Sequence, residues 1–272
     1  MATGGEVLKE SVRQHWEEEA CGTRGLTNHD RREFFNSLER ERYLLEPYIR
    51  QFARFEQSAG KRVLEIGVGA GTDFINWVRA GANATGIDLT LQGISLTRER
   101  LQLENRTAEL RVSDAESLPF EDGTFDLVYS YGVLHHSPDT EQAVAEVRRV
   151  LKPGGKALVM VYYARSWVAF MLWLIYCAGR LRPWRSARWA MYHHLESPGT
   201  KAYNHAEARA LFGGFSEVSV RTQLSHADLL LMRPALKHDT PIRRALWHFY
   251  PRWLVRATGD RFGNALLIEA IK

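Results

Sequence analysis

The sequence predicts an α/β fold in which a mostly parallel sheet of seven strands is covered by helices on both faces. Segments rich in β-branched and aliphatic residues alternate with helix-like segments from Lys61 onward, which is typical of parallel sheets with crossover helices. Glycine-rich turns separate these segments, at Gly67, Gly69 and Gly71 and again at 152–155. Apolar residues make up 45% of the chain and charged residues 25%, as in globular proteins with an ample core.

The individual elements follow from the spacing of apolar residues. The predicted strands are 61–66, 84–88, 108–112, 125–130, 156–163, 215–222 and 264–271. The predicted helices between them are 72–80, 91–105, 139–151 and 204–212. Residues 6–57 are also predicted to be helical, because apolar side chains recur every three or four residues from Leu44 to Phe55. Asn28 or Asp30 is predicted to cap one of these helices.

Two segments do not fit the strand–helix alternation and are predicted to be helical insertions that form a cap. The predicted organisation is an N-terminal helical lid at 1–60, a core at 61–163 that continues at 204–222 and closes with a strand at 263–272, and insertions at 164–203 and 223–262. The insertions contain six of the eight tryptophans. They also hold thirteen Lys/Arg against four Asp/Glu, a net charge of +9 in a chain whose total is +4. The positive charge is therefore local.

Cysteine usage and the absence of long apolar runs indicate a cytoplasmic protein. Cys21 and Cys177 are far apart and predict neither a disulfide framework nor a metal cluster. The first ten residues lack the apolar segment of a secretory signal. The longest apolar run, Trp167 to Ala178, has 12 residues, which is too short to span a bilayer as a helix.

The first predicted strand leads into the pattern Glu65-x-Gly67-x-Gly69-x-Gly71. Glycines at such a turn allow positive φ or let a ligand lie against the main chain. The dinucleotide fingerprint would require a glycine where this chain has Thr72. The pattern resembles instead motif I of the class I S-adenosylmethionine (SAM) methyltransferases. A tight turn without a ligand is the alternative interpretation.

Acidic residues follow the next two predicted strands. Asp88 lies 17 residues beyond Gly71, where a carboxylate can accept both hydroxyls of a ribose; alternatively, it caps the helix that begins near Thr90. Asp114 and Ala115 follow the third strand. The alternative for Asp114 is a local Asx-turn.

With the blocks Ser130 to Pro138 and Glu146 to Gly155, the stretch from about 61 to 163 resembles the "type 11" methyltransferase-domain group. The resemblance implies a Rossmann-like fold, SAM as the cofactor and S-adenosylhomocysteine as the product, with no metal. The cofactor-binding residues that it implies are Glu65, Gly67, Gly69, Gly71, Asp88, Leu89, Asp114, Ala115, Ser130, Tyr131 and Tyr43. In that family, the acid after the third strand holds the adenine amino group and the next backbone N–H meets the ring. Residues after the fourth strand flank the methionine part, and Arg42 is a further candidate contact from the lid.

Methyl transfer requires the acceptor to be positioned in line and water to be excluded. An acceptor that must lose a proton also needs a base, for which histidine is suited. His135 and His136 follow the fourth strand and are the candidate catalytic residues. Adjacent side chains usually point apart, so we expect at most one of them to face the acceptor. His193 and His194 are the alternative pair.

The acceptor is predicted to be small and apolar or lipid-like. The chain lacks the Asn/Asp-Pro-Pro-aromatic block of exocyclic-amine methyltransferases and the cysteines needed for arsenic methylation. The apolar run from Trp167 has three interpretations: a buried helix of the cap, the lining of a substrate pocket, or peripheral contact of residues 167–189 with a membrane. A second functional hypothesis is a catalytically silent SAM-fold protein that binds a nucleic acid or a protein through its basic insertions. Nucleic acid is the less favoured partner.

Overall fold

A computed structural model describes residues 4–18, 30–231 and 250–272. The strands are β1 (Arg62–Ile66), β2 (Asn83–Asp88), β3 (Glu109–Val112), β4 (Phe125–Tyr131), β5 (Leu151–Tyr163), β6 (Ala202–Tyr203), β7 (Glu217–Gln223) and β8 (Ala265–Ile271). The helices are α1 (Gly4–Glu18), α2 (Arg31–Leu45), α3 (Tyr48–Ala53), α4 (Phe74–Arg79), α5 (Leu91–Leu103), α6 (Thr140–Val150), α7 (Trp167–Tyr176), α8 (Ala187–His194), α9 (His205–Leu211) and α10 (Arg252–Ala257).

The strands form one sheet in the order β3-β2-β1-β4-β5-β8-β7, with β6 beside the end of β5. All pairs are parallel except those of β8, which runs antiparallel to both β5 and β7. The chain crosses from β3 at one edge to β4 beside β1, so the strand order reverses between β1 and β4. Ligands of open α/β sheets bind at such a reversal, beyond the carboxyl ends of the strands.

The prediction of a mostly parallel α/β sheet is confirmed, and its strand count is one too low. The additional strand, β6, has only two residues, too few for a period-two pattern to be visible in the sequence. The fifth strand begins at Leu151 rather than at 156, because the predicted turn at 152–155 is a bulge inside β5. Phe125 of β4 pairs with Leu151, whereas Leu127 pairs with Lys156.

Alternating side chains of the strands build a separate apolar layer on each face of the sheet. Leu127 and Tyr129 of β4 belong to the layer that contains α4, whereas Val128 between them belongs to the layer that contains α6 and α9. This follows from the opposite directions of successive side chains in a strand. Both layers are buried, so the sheet is a rigid platform for the loops at its carboxyl edge.

The first predicted insertion contains α7 and α8, which pack against each other around an apolar cluster of their own. α7 buries one face, with Val168 and Leu172 both under 9% exposed, while Phe170 and Leu174 on the other face are exposed. Of the second predicted insertion, the structure describes 223–231 and 250–262, and Trp247 lies outside the described residues. No helix among the described residues is long and apolar enough to cross a membrane.

Three α-helices, α1, α2 and α3, precede β1 among the described residues. Asp30 caps α2, since its side chain accepts the backbone N–H groups of Arg32 and Glu33; such a cap is worth about 1 kcal/mol. Asn28, the other predicted cap, lies outside the described residues, as does Cys21.

Candidate cofactor and acceptor site

The glycine turn leaves the end of β1 with its backbone held against β2. The N–H groups of Gly67 and Val68 both donate to the carbonyl of Ile87, at 2.8 and 3.1 Å. Gly67 and Gly69 have φ values of +82° and +51°. A Cβ on Gly67 would lie 2.2 Å from the Val133 side chain, whereas a Cβ on Gly69 would have no neighbour within 4 Å. The first glycine therefore serves internal packing, and the second presents bare backbone to open space.

Asp88 connects this turn to the end of β2. One carboxylate oxygen accepts the backbone N–H of Gly69 at 2.9 Å, and the other accepts the N–H and hydroxyl of Thr90 at 2.9 and 2.6 Å. The N-cap of α5 is Thr90, whose side chain accepts the N–H of Gly93, so Asp88 does not fill the capping role. Each carboxylate oxygen can accept more than one hydrogen bond, so Asp88 retains capacity for ribose hydroxyls. Leu89 beside it is half-buried.

Asp114 forms an ion pair with a residue of α1 that belongs to no motif in the sequence. The Lys9 ammonium lies 2.5 Å from Asp114 and also contacts Glu116. Burial opposes protonation, but the two carboxylates raise the pKa of Lys9. The other oxygen of Asp114 accepts the N–H of Glu116 at 2.9 Å, which is the predicted alternative of a local Asx-type turn. Ala115 between them is half-buried.

α1 crosses the carboxyl edge of the sheet. Glu17, near its end, accepts the N–H groups of Leu91 and Gln92 at the start of α5, at 3.0 and 3.1 Å. The Trp16 ring lies 5.4 Å from the His136 ring. With Lys9 at Asp114, these contacts place α1 over the loops that follow β2, β3 and β4.

Glu65 supports the glycine turn from inside the protein. It is 3% exposed and accepts the indole N–H of Trp77 at 2.8 Å. Burial, followed by the neighbouring Asp73, raises the pKa of Glu65 well above its usual value.

A buried network joins the lid helices to the core below the turn. Asp73 accepts two hydrogen bonds from Arg42, at 2.9 and 2.5 Å, and one hydroxyl each from Tyr43 and Tyr129, at 2.9 and 2.8 Å. Burial opposes ionisation, but Arg42 and the hydroxyl donors lower the pKa of Asp73. Tyr43 and Arg42 are thus held at the turn through Asp73. Asp73 follows the glycine motif directly, yet nothing in the sequence showed that an arginine would meet it.

The two residues after the fourth strand have different environments. Ser130 is fully buried and donates to the carbonyl of Ile66 at 3.2 Å. Tyr131 is half-buried and faces the lid, where its hydroxyl lies 2.9 Å from that of Tyr48 and its ring lies 4.9 Å from the Arg42 guanidinium. Tyr131 is therefore the member of the predicted pair on the side of the lid.

His135 and His136 follow β4 on a single helical turn and are both buried. Nδ1 of His136 lies 2.8 Å from the Ser197 hydroxyl, and its Nε2 lies 3.3 Å from the Glu196 carboxylate. Neither ring nitrogen of His135 has a hydrogen-bond partner among the described residues. Burial lowers the pKa of His135 well below its usual value, so its imidazole is neutral at pH 7. His136 thus contacts the returning cap, whereas His135, which is 0% exposed, leaves both ring nitrogens unpaired among the described residues.

Glu196 was not predicted to be a site residue, since it is an isolated glutamate in a basic insertion and belongs to no motif. Burial opposes its ionisation, yet the neighbouring His136 lowers the pKa of Glu196. The alternative pair lies on α8, where His194 stacks on Tyr176 at 3.8 Å and His193 is exposed.

The core of the chain is similar to known proteins. Residues 64–159 match the family model of the methyltransferase domain. Phosphoethanolamine N-methyltransferase 2 of Caenorhabditis elegans is 35% identical over 116 residues, which are 42% of this chain and 26% of that protein. Demethylmenaquinone methyltransferase of Tropheryma whipplei (strain Twist) is 33% identical over 142 residues, 51% of this chain and 58% of that protein. The chain thus spans less than two thirds of either relative.

The similarity in fold extends over the whole chain. The structure of geranyl diphosphate C-methyltransferase from Streptomyces coelicolor A3(2), in complex with Mg²⁺, geranyl diphosphate and S-adenosylhomocysteine, superposes with a TM-score of 0.63 at 17% identity, covering 99% of this chain and 98% of that one. At that identity the similarity establishes the fold alone.

Proposed function

We propose that this chain, which carries a class I SAM-dependent methyltransferase domain of the type 11 group, transfers a methyl group from SAM to a small, apolar or lipid-like acceptor. The observation that carries the proposal is the arrangement at the carboxyl edge of β1, β2 and β3. The open backbone of Gly69, the carboxylate of Asp88 and the carboxylate of Asp114 follow one another along that edge.

The residues have the chemistry that the parts of SAM require. Asp88 would accept the ribose hydroxyls while it holds Gly69, and Asp114 would accept the adenine amino group in place of Lys9. The half-buried Leu89 and Ala115 would contact the adenosine from either side. Bound SAM supplies a methyl group on a sulfonium, so the protein has mainly to orient an acceptor and exclude water.

The lid helices would close the methionine end of the site. Tyr43 is fixed on Asp73, which places it beside the glycine turn. Tyr131 is fixed between Tyr48 and the Arg42 guanidinium. Aromatic side chains held in this way shape a dry cavity and do not need to reorganise during the transfer.

The acceptor would lie between the His135 turn and the cap. Tyr162 packs against the apolar cluster of the cap, and its ring lies 4.2 Å from that of His135. An acceptor that reaches His135 would therefore be bounded by apolar side chains on the side of the cap, which favours an apolar molecule. By their names, the two relatives methylate phosphoethanolamine and demethylmenaquinone, and both are small molecules.

We assign proton removal to His135 rather than to His136. Both ring nitrogens of His136 already face partners, Ser197 and Glu196. His135 is neutral and has a nitrogen without a partner among the described residues. Replacing His135 with glutamine should lower kcat for an acceptor that loses a proton, with no change in SAM affinity. Equal turnover by the variant and the wild type would remove His135 from the reaction.

Calorimetric titration with SAM tests the proposal. We expect one site per chain and a loss of affinity in Asp114→Ala. The matched control is Asp122→Ala, since the Asp122 side chain is 79% exposed and precedes β4, at the opposite end of that strand from the site. Absence of SAM binding by the wild type would overturn the proposed function. A cytoplasmic location stays a prediction.

A further inference from the structure

The cap exposes apolar side chains on the face of α7 that does not pack against α8. Phe170, Leu174 and Ile175 are 46%, 44% and 38% exposed. The spacing of Phe170 and Leu174 puts them on one side of the helix. A monomeric surface normally scatters such residues singly, so a group of them indicates a contact surface.

The segment after α7 extends this exposed face. Leu181 is 84% exposed and Trp184 is 77% exposed. The Trp173 indole N–H donates to the carbonyl of Arg185 at 2.9 Å, and its ring stacks on Phe170 at 6.2 Å. These contacts hold the Trp184 segment against the exposed face of α7. We call this surface the cap strip, and its members are Phe170, Leu174, Ile175, Leu181 and Trp184.

α10 lies beside the start of α7 and also exposes apolar side chains. The Trp167 indole N–H donates to the Thr258 hydroxyl at 3.1 Å, which joins the start of α7 to the end of α10. On α10 itself, Trp253 and Leu254 are 73% and 42% exposed.

The segment that contains the cap strip carries charge of one sign. Residues 164–195 contain five arginines and no Asp or Glu. Arg180 and Arg182 are exposed, and neither they nor Arg185 form an ion pair with any carboxylate in the described part of the chain. Arg180 and Arg185 instead lie over the rings of Tyr176 and Trp189, at 5.1 and 3.9 Å. The guanidinium groups therefore border the apolar strip.

Exposed tryptophan and leucine beside unpaired arginines match the chemistry of a lipid interface. Tryptophan favours the headgroup level of a bilayer, aliphatic side chains enter the acyl boundary, and arginines bind anionic headgroups. A nucleic acid would use the tryptophans and arginines but would leave Leu174 and Leu181 without a partner, since aliphatic side chains do not stack on bases. A second copy would bring arginines against arginines.

We propose that the cap strip docks on the surface of a bilayer that contains anionic lipid. Leu181 and Trp184 enter the boundary between headgroups and acyl chains, and Arg180 and Arg182 contact the headgroup phosphates. Docking of the cap strip on a bilayer does not depend on whether the protein transfers a methyl group. Its use as the entry for an apolar acceptor, through the cap cluster that reaches Tyr162 and His135, rests on the proposed function.

Cosedimentation with vesicles tests the docking, using phosphatidylcholine alone and phosphatidylcholine mixed with phosphatidylglycerol. We expect the wild type to bind the mixed vesicles more strongly and to lose binding as salt is added. Replacing both Leu181 and Trp184 with serine should reduce the partition coefficient by at least about tenfold. Arg180→Gln and Arg182→Gln should each reduce binding to the mixed vesicles about fivefold, the equivalent of about 1 kcal/mol per arginine.

Matched controls lie on other surfaces of the molecule. Leu44→Ser removes an 80% exposed leucine from α2, and Arg98→Gln removes an exposed arginine from α5; both should bind vesicles as the wild type does. Unchanged SAM affinity in every variant would show that the fold is intact.

Several outcomes would overturn the docking while leaving the proposed function standing. They are no sedimentation with mixed vesicles at low salt, equal losses in the control variants, and strip-dependent binding of a single-stranded oligonucleotide without vesicle binding. A stable dimer that the Leu181/Trp184 variant dissociates would also overturn it. Loss of SAM binding by the wild type, with vesicle binding retained, would instead refute the proposed function alone.

Discussion

The carboxylate of Asp88 accepts the backbone N–H of Gly69 at 2.9 Å, which ties the end of β2 to the open point of the glycine turn. One acid thereby fixes the loop against which a ligand would lie and presents its remaining lone pairs to that ligand. The two residues are 19 positions apart in the sequence, and the parallel pairing of β1 with β2 brings them together.

Replacement of Asp88 with alanine should weaken SAM binding by an order of magnitude or more, because both the ribose acceptor and the support of Gly69 are lost. Isothermal titration measures the effect, and circular dichroism should show an unchanged fold. Wild-type affinity in the variant would remove Asp88 from the site.

Alanine at the two first glycines of the turn should have different consequences. In Gly67→Ala the new Cβ would meet Val133 at 2.2 Å, so we expect a loss of about 2 kcal/mol or more in the free energy of unfolding, as for overpacked cores. Gly69→Ala has space for its Cβ and should cost only about 1 kcal/mol for its positive φ. Its SAM affinity should nevertheless fall at least tenfold. Urea denaturation measures the stability of both variants, and titration measures their SAM affinity. A larger loss of stability in Gly69→Ala together with a larger loss of SAM affinity in Gly67→Ala would contradict these roles of the two glycines.

The core of the fold could be predicted because its local patterns agree with its tertiary structure. The helices α4 and α5 follow β1 and β2 at the spacing that a parallel sheet requires, and the observed bounds of β1 to β4 differ from the predicted ones by one residue at most. The start of β5 was predicted less accurately, because the glycines within 152–155 are compatible both with a turn that ends a strand and with a bulge inside one. β6 depends on a tertiary contact with the end of β5, which no local pattern encodes.

Arg42→Met should destabilise the protein by about 3 kcal/mol, because it leaves the Asp73 carboxylate, 4% exposed, without its cation. The control is Arg31→Met. Arg31 pairs with Glu99, and each of these two side chains is more than a third exposed, so the pair should contribute less than about 1 kcal/mol to the free energy of unfolding. Chemical denaturation compares the two. Equal losses would mean that the Arg42–Asp73 pair does not anchor the lid.

His135 should make stability depend on pH below neutrality. Its folded pKa is lowered from the usual value of 6.5, chiefly by burial, so the unfolded chain binds a proton that the folded chain does not. Stability is therefore lost as the pH falls below 6.5, by about 1.4 kcal/mol per pH unit for this group. His135→Gln should flatten the dependence, and His193→Gln, at an exposed position, should not. A slope that is the same in all three proteins would contradict the burial of a neutral His135.

Residues of the candidate site could be predicted from the sequence only where they belong to a motif. The glycines, Asp88, Asp114 and the histidine pair stand at strand ends that the sequence pattern locates. Lys9 and Glu196 reach the same edge from the N-terminal helix and from the cap, and their positions depend on how those segments fold back over the sheet. A single lysine or glutamate in a helical segment has no local signature of such a contact.

Formation of S-adenosylhomocysteine measures methyl transfer to an apolar small molecule. SAM would be incubated with the protein and, separately, with organic-soluble and aqueous fractions of a cell extract, using Asp88→Ala as the blank. We predict product with the organic-soluble fraction and none with the variant. Product with the aqueous fraction alone would contradict the apolar acceptor. No product with either fraction, from a protein that binds SAM, would contradict catalysis and favour a silent SAM-fold protein that acts by binding.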